Sequence, residues 1–362
     1  MKRLVRFTVL CLLFESVLFS AHAAFTSFYV FGDGVCTTTN NSFPGTNYYG
    51  LRQTNGRVWV EVLAQWQGLA YDSNKNWSYY GQDSAILVTN VSNFTAPSDA
   101  NTALFAIWVN DADFVDDMGK YTPYASNNLA AWTNAINRSL TNHFKVITNL
   151  YYAKGVRTLV MPNAVDITEI PQYDLNPAPA RSFVRQRVIS FNSAFTALLS
   201  NTVASLPGLT IYEPDVFSLL DDVVTNSAYY GLTNALYNGV SVDAQEDPLL
   251  LNLSLNGPGA NYIFWDATDP TAKLHMVIAN AAQQLMSPVQ ITKITALSGS
   301  NQLDVVNVPV GRAGFVDGSA DLLTWTAAQS TDTNNAIQSI FVSTSGPQQF
   351  YRLRFPLVWT WP

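Results

Sequence analysis

Short apolar runs alternate with amphipathic helical segments along most of the chain. Four runs have the continuous apolar character of strands buried on both faces: 27–31, 103–109, 156–161 and 209–212. Four longer segments repeat apolar residues at helical spacing: 58–66, 127–153, 181–204 and 271–286. Because parallel strands need helical crossovers, this order predicts an α/β fold whose mostly parallel sheet is covered on both faces.

The pattern changes after Pro288, where short β-like runs are separated by Gly, Asn, Ser and Asp. These runs are 290–296, 303–308, 313–316, 339–343 and 350–355. They predict a small all-β module of about 70 residues. We therefore divide the chain into an α/β domain, 24–288, and a C-terminal β domain, 289–362. The segments 321–326 and 350–353 resemble a recurring C-terminal β module of secreted bacterial proteins, a resemblance that implies no chemistry.

The first residues have the pattern of a secretory signal peptide. A basic start precedes a largely apolar stretch, 7–19, and a small-x-small cleavage site at 21–23. The stretch is short for a transmembrane anchor and is interrupted by Glu15. We expect cleavage after Ala23 and a secreted, extracellular or periplasmic protein without a transmembrane segment. Cys11 leaves with the signal, so no intrachain disulfide is expected.

The charge of the chain excludes some classes of partner. Its 362 residues carry a formal net charge of −7, and only 12% of them are charged. An acidic chain is a poor ligand for nucleic acid and for anionic lipid, because both are polyanions. The surface is built mainly from uncharged polar residues, which is consistent with an extracellular protein and with a sugar-binding one.

Five segments carry a resemblance to a known enzyme family. They are 31–34 (Phe-Gly-Asp-Gly), 55–61, 76–81, 107–114 and 264–271 (Phe-Trp-Asp-Ala-Thr-Asp-Pro-Thr). The first resembles the Phe-Gly-Asp-Ser opening of GDSL (SGNH) esterases, and the last resembles their Trp-Asp-x-x-His-Pro-Thr block. The five segments occur in family order. The resemblance implies a three-layer αβα domain of flavodoxin-like type and the hydrolysis of carboxylic esters.

The catalytic positions that the resemblance identifies carry unusual residues. In the family a serine of the first block attacks the ester, a histidine of the last block activates it, and an aspartate three residues earlier orients the histidine. The matching positions are Gly34, Asp269 and Asp266. Glycine has no hydroxyl, and an aspartate with an ordinary pKa of about 3.9 is a weak base. The resemblance therefore implies a degenerate catalytic site.

The family's oxyanion hole is kept only in part. Family members use the backbone amides of the first-block serine and second-block glycine together with a third-block asparagine side chain. The matching positions are Gly34, Gly81 and Ala112, so the amides remain and the asparagine is lost. Asn110 stands at the family's third-block glycine position, and from a shifted loop its side chain would still donate to an oxyanion.

Other residues offer replacement chemistry. Cys36 follows Gly34 by two residues and is either an alternative nucleophile, activated at a helix N-terminus, or a small buried hydrophobe. His143 lies in mid-helix and is expected to be a solvated or core-edge residue. His275 lies at a position where family members often carry a second, non-catalytic histidine. Neither is expected to replace the catalytic base.

Four aspartates stand near the predicted strand ends. If Asp33, Asp113, Asp266 and Asp269 converge, two of them at close range would share a proton and supply a general base, or the group would bind a cation. Alternatively, Asp33 and Asp113 cap loops and Asp266 bonds to backbone. No metal and no cofactor is predicted.

Two functional classes follow from these residues, and a third stays open. The first is a degenerate esterase homologue that binds a small-molecule ligand, such as a glycan or an acyl ester, in the former catalytic cleft. The second is an active ester hydrolase that uses water, Cys36 or an aspartate pair. Aromatic residues beside the site, Tyr48, Tyr49, Trp77, Tyr79 and Tyr80, would stack on sugar rings or pack in the core. The third is a surface protein that acts through its β module.

Overall fold

A computed structural model describes residues 25–40, 45–344 and 349–359. The predicted signal segment and Cys11 lie outside the described residues. The first four strands are β1 (Phe28–Gly32), β2 (Leu104–Trp108), β3 (Thr158–Val160) and β4 (Thr210–Tyr212). They form one parallel sheet in the order β1-β2-β3-β4. Every residue of β1 and β2 is buried, because these strands are apolar on both faces.

Eight α-helices accompany this sheet in the described part of the chain. They are α1 (Trp59–Trp66), α2 (Ser84–Asn93), α3 (Asn110–Lys120), α4 (Leu129–Lys154), α5 (Pro171–Asp174), α6 (Ala178–Ser205), α7 (Val216–Thr225) and α8 (Ala272–Met286). Helix α1 packs on α8, whereas α4 packs between α2 and α6. The domain has the three-layer αβα architecture, with the sheet between helical layers. None of the described helices is long and apolar enough to span a bilayer.

The segment 76–79 extends the sheet edge beside β1. The Trp77 amide donates to Val30 O over 2.8 Å, and the Tyr79 amide donates to Gly32 O over 3.2 Å. A single parallel bridge joins Val30 to Asn76. Because of this pairing, the chain that follows residue 79 leaves the sheet at the same edge as the chain that follows β1.

Beyond Pro288 the sheets are antiparallel. One sheet contains β7 (Gln290–Leu297), β8 (Ser300–Val306) and β11 (Gln338–Ser343), and the other contains β9 (Phe315–Ser319), β10 (Thr326–Ser330) and β12 (Phe350–Arg354). A short hairpin, β5 (Leu236–Tyr237) and β6 (Val240–Ser241), lies between α7 and α8 in the chain. The two C-terminal sheets share a small apolar core: Leu303, Val305, Val308, Val316, Ile340 and Val342.

Two elements differ from the apolar pattern of the sequence for identifiable reasons. All five residues of β10 are exposed, so no hydrophobic alternation marks the strand in the sequence. The predicted strand 156–161 is shorter in the structure. The Val156 amide donates to Leu150 O over 3.0 Å and so closes the last turn of α4 instead of joining the sheet.

Candidate functional site

The candidate site is a cavity of about 450 Å³ at the carboxyl ends of the parallel strands. Gly34 follows β1, Gly81 follows the edge segment 76–79, and Ala112 lies in the first turn of α3, directly after β2. All three line the cavity, and so does Asp269. The parallel sheet therefore brings together four of the residues that the family resemblance selects, although up to 235 residues separate them in the sequence.

Gly34 and Asp269 face each other directly. A Cβ atom at position 34 would lie 3.1 Å from Asp269 Oδ1 and 3.3 Å from Tyr80 Cδ2. This separation is tighter than ordinary van der Waals contact, so any side chain at position 34 requires Asp269 to move by a few tenths of an ångström. Glycine at position 34 thus leaves room for the Asp269 carboxyl.

Two residues that precede α1, Thr54 and Asn55, hold the chain around Asp269 in place. Asn55 Oδ1 accepts from the Ala272 amide at the start of α8 over 2.8 Å. Thr54 Oγ1 donates to Pro270 O, also over 2.8 Å. Both polar side chains are completely buried. These bonds fix the loop 264–271 against the segment that precedes α1.

Asp266 organises the same loop and does not line the cavity. Its Oδ1 accepts from the amides of Thr268, over 3.0 Å, and Asp269, over 2.8 Å. Tyr48 Oη donates to Oδ2 over 2.8 Å. The Asp266 carboxylate therefore bonds mainly to backbone, and it lies close enough to hydrogen-bond the Asp269 carboxyl as well.

Three buried carboxyls line the cavity with few cations near them. Burial raises the pKa of Asp33 to about 7, and its neighbour Asp113 adds to the rise. Burial raises the pKa of Asp269 well above its ordinary range, with added repulsion from Asp266. Asp111 shows the same shift, caused first by burial and then by Asp33. Near pH 7 Asp33 is therefore about half protonated, and the raised pKa values of Asp111 and Asp269 favour their protonated forms, which donate hydrogen bonds.

The four predicted aspartates form neighbouring pairs: Asp266 lies within hydrogen-bonding reach of Asp269, and Asp33 interacts electrostatically with Asp269 and with Asp113. Asp33 and Asp269 line the cavity, whereas Asp113 lies behind it. Asp113 Oδ1 accepts from the Ser84 amide over 3.0 Å, and its Oδ2 accepts from Ser139 Oγ over 2.5 Å. Within residues 25–40, 45–344 and 349–359, no group of three or more His, Cys, Asp or Glu side chains is placed to hold a metal ion.

The side chain of Asn110 corrects one expectation. Its Nδ2 donates to Pro162 O over 2.9 Å, and the residue is buried outside the cavity. The amide joins the ends of β2 and β3 and has turned away from the position of an oxyanion. Gly81 lines the cavity with φ +77°, a conformation that favours glycine.

Cys36 is a buried structural residue, which corrects the hypothesis of an alternative nucleophile. It has no exposed surface, and its Sγ accepts from Trp59 Nε1 over 3.3 Å. A Cβ atom at position 32 would lie only 2.5 Å from the Cys36 Cβ, so the Cys36 side chain packs directly against the backbone of Gly32. Burial raises the pKa of the Cys36 thiol well above its ordinary value, which keeps it protonated and unreactive.

This burial predicts a slow thiol reaction. In the protein produced without residues 1–23, Cys36 should react with an aromatic disulfide reagent at least about 100-fold more slowly under native conditions than in guanidinium chloride, because reaction requires opening of the core. The absorbance of the aromatic thiolate that the reagent releases measures both rates. Similar rates in the two solvents would contradict the structural assignment.

Both described histidines lie in the core and not in the cavity. His143 Nδ1 lies 2.9 Å from Ser139 O, and its ring packs edge-on against Phe195. It is completely buried, so the expected solvated or core-edge position is wrong. Burial lowers the pKa of His275 to about 3, which leaves it neutral. Neither imidazole reaches the position of the missing base.

The apolar wall of the cavity is the part that the sequence motifs do not identify. It is formed by side chains that follow β3 and β4 or lie on α3, α7 and α8: Val115, Val165, Ile167, Ile170, Val216, Leu219, Leu220, Leu274 and Ile278. Asp111, which also lines the cavity, belongs to the block 107–114, but the family resemblance assigns it no role. The sequence does indicate this wall. Apolar residues that closely follow parallel strands face the edge of the sheet at which ligands bind.

No protein-family model matches the chain. Three curated relatives are GDSL esterase/lipases of Arabidopsis thaliana. One is 26% identical over 168 residues, which cover 44% of this chain and 44% of the relative. Another is 23% identical over 352 residues and covers 80% of this chain and 96% of the relative. The third is 22% identical and covers 70% and 87%. The chain is a homologue of the GDSL/SGNH hydrolases.

Solved structures to which the chain is similar include a lipase and an acetylxylan esterase. A lipase from a goat rumen metagenome covers 72% of this chain and 97% of its own, with 10% identity and a TM-score of 0.42. An acetylxylan esterase from Geobacillus stearothermophilus covers 70% and 91%, with 12% identity and a TM-score of 0.38.

Proposed function

We propose that this GDSL/SGNH homologue is a degenerate esterase that binds an uncharged carboxylic ester in its cavity without turning it over efficiently. One observation carries the proposal: Gly34, which the family resemblance matches to the nucleophile, directly faces the buried Asp269, whose pKa is raised well above its ordinary range. Among the residues that the structure describes, no serine, cysteine or histidine lines the cavity. A site without nucleophile and base retains binding while losing most of its catalysis.

The cavity favours a ligand with an apolar chain and a neutral polar group. Its wall from α7 and α8 is apolar, as in sites for acyl chains. Asp33, Asp111 and Asp269 would meet the polar end of the ligand, and each of them donates to an ester carbonyl when it is protonated, a form that their raised pKa values favour. An ionised carboxylate would be repelled there whenever one of these groups loses its proton. A sugar portion would lie at the mouth, beside the half-exposed ring of Tyr80.

A second candidate is slow hydrolysis by water with Asp33 as general base. The supporting observation is that the pKa of this cavity-lining carboxyl lies at about 7, the range in which a general base is effective. Backbone amides at Gly34 and Gly81 would stabilise the oxyanion.

Location and domain boundaries belong to the same proposal. We propose that residues 1–23 direct export and that 24–288 and 289–362 are separate domains, a GDSL/SGNH domain and a β module. The support is the signal pattern of the first residues and the change from parallel to antiparallel pairing after Pro288.

Hydrolysis of p-nitrophenyl butyrate at pH 7 tests the choice between binding and catalysis. We expect the wild type, Asp269→Ala and Asp33→Asn to hydrolyse this ester at the rate of the buffer. Circular dichroism confirms that each variant is folded. Turnover by the wild type that disappears in Asp33→Asn would establish the hydrolase instead.

A cavity-filling variant tests where the ester binds. Leu219 lies half-buried on the cavity wall, so Leu219→Trp should weaken the binding of ethyl hexanoate at least about tenfold by occupying the space of the chain. Calorimetric titration measures the affinity. Leu285→Trp is the matched control, because this leucine is exposed on α8 and lies outside the cavity. Equal affinity in the two variants would place the ligand elsewhere.

A further inference from the structure

A second cavity, of about 420 Å³, lies where the C-terminal sheets meet the α/β layers. Four parts of the chain line it: the segment 57–66, which includes α1, the start of α8, the loop 311–313 and the tail 356–359. Its apolar walls come from Val62, Trp66, Ala272, Met276, Val358 and Trp359. It shares no lining residue with the cavity at the strand ends, so it is a separate site.

Arg312 is a buried cation in this junction cavity with only neutral partners. The residue is 8% exposed, and its guanidinium donates to Asn280 Oδ1 over 2.6 Å and to Phe355 O over 2.5 Å. It also lies 4.9 Å from the centre of the Trp66 ring. Burial lowers the pKa of Arg312 to about 10, so the group stays charged at neutral pH. Three of its five N–H donors have no part in these two hydrogen bonds.

Arg57 brings a second guanidinium to the same cavity. Its Nη1 donates to Gln65 Oε1 over 2.5 Å, and Gln65 lies against Gly311, next to Arg312 in the chain. No aspartate or glutamate lines the cavity within the described ranges, and neither arginine forms an ion pair with a described residue. Two cations without acidic neighbours are notable in a chain with a net charge of −7.

We propose that the junction cavity binds a small organic carboxylate. The carboxylate would pair with Arg57 and Arg312, because a guanidinium presents its donors in a fork that matches two carboxylate oxygens. The apolar body of the ligand would pack against Trp66 and Trp359. Since the lining residues come from both the α/β layers and the C-terminal sheets, an occupied site also stabilises their contact. The site is independent of the proposed ester binding.

Calorimetric titration of the purified protein with hexanoate tests this site. We expect one hexanoate per chain, with binding that weakens as NaCl is raised and changes little between pH 6 and 8. Hexan-1-ol, which has the same chain without the charge, should bind at least about tenfold more weakly. Arg57→Gln should weaken hexanoate binding by a similar factor. Because Arg57 is half-buried, this variant should remain folded even if Arg312→Gln does not.

Two further variants separate the sites. Arg138→Gln is the control for the loss of one positive charge, since Arg138 contacts Asp117 and lies outside both cavities. Leu219→Trp fills the cavity at the strand ends. Hexanoate should bind both variants as it binds the wild type. The proposal is overturned by an absence of wild-type binding, by equal affinity for hexan-1-ol, by unchanged affinity in Arg57→Gln, or by loss of binding in Leu219→Trp.

Discussion

The double variant Gly34→Ser/Asp269→His should hydrolyse p-nitrophenyl butyrate at least about 100-fold faster than the wild type. The two positions already face each other across the site, with the Cβ position of residue 34 at 3.1 Å from Asp269 Oδ1. The Asp266 carboxylate lies within hydrogen-bonding reach of the side chain at position 269 and can orient an imidazole there. Initial rates at pH 7.5, compared with a buffer blank, measure the gain.

The single variants should stay at the background rate, because the catalytic groups act as a unit. Gly34→Ser alone places the serine Cβ against Asp269 and supplies no base, whereas Asp269→His alone supplies a base and no nucleophile. Adding Ala112→Asn to the double variant should raise the rate by a further factor of about 10²–10³, the usual contribution of one oxyanion donor. A folded triple variant at the background rate would show that the cavity itself is not arranged for ester hydrolysis.

The stability of the wild type should fall as pH rises from about 4 to about 7. The folded protein raises the pKa of Asp33 from 3.8 to about 7, so between these values the folded state binds more protons than the unfolded state. The stabilisation is complete below pH 4 and is lost as pH rises through 7. Asp33 alone contributes about 4 kcal/mol to this change, and Asp111 and Asp269 act in the same direction.

Asp33→Asn isolates this effect, because asparagine keeps the acceptor for the Val35 amide and cannot ionise. Between pH 4.5 and pH 8, the free energy of unfolding of the variant should rise relative to the wild type by roughly 3 kcal/mol or more. Urea unfolding followed by tryptophan fluorescence measures it at each pH. The control is Asp116→Asn on α3, a partly exposed carboxylate paired with Lys120. An identical pH dependence in wild type and Asp33→Asn would refute the assignment.

The elements predicted from the sequence agree best with the structure where burial determines which positions are apolar. The predicted runs 27–31 and 103–109 correspond to β1 and β2, since strands covered on both faces are apolar at every position. The predicted helix 271–286 corresponds to α8, where Thr271 Oγ1 accepts from the Leu274 amide at the N-terminus. The sequence does not mark β10, because an exposed strand needs no apolar residue.

In the candidate site, too, some features could be predicted from the sequence and others could not. The motifs place Gly34 and Asp269 at the catalytic positions, and their order along the chain is enough to expect them at one edge of the sheet. The orientation of a polar side chain is a different matter. Asn110 and Asp113 occur in the same motif as Ala112, yet one donates to Pro162 O and the other accepts from Ser139, because the nearest buried partner determines the direction of each.

The sequence by itself determined the four parallel strands, four of the helices and the family resemblance that selects Gly34 and Asp269, because these depend on residue type and spacing. Only the tertiary structure decided that Cys36 is buried against Gly32. It also decided that Asp111 lines the same cavity as Asp33 and Asp269, and that Arg57 and Arg312 line the junction cavity. Burial and neighbouring charge set the protonation and reactivity of such groups, and both depend on segments that are distant in the chain.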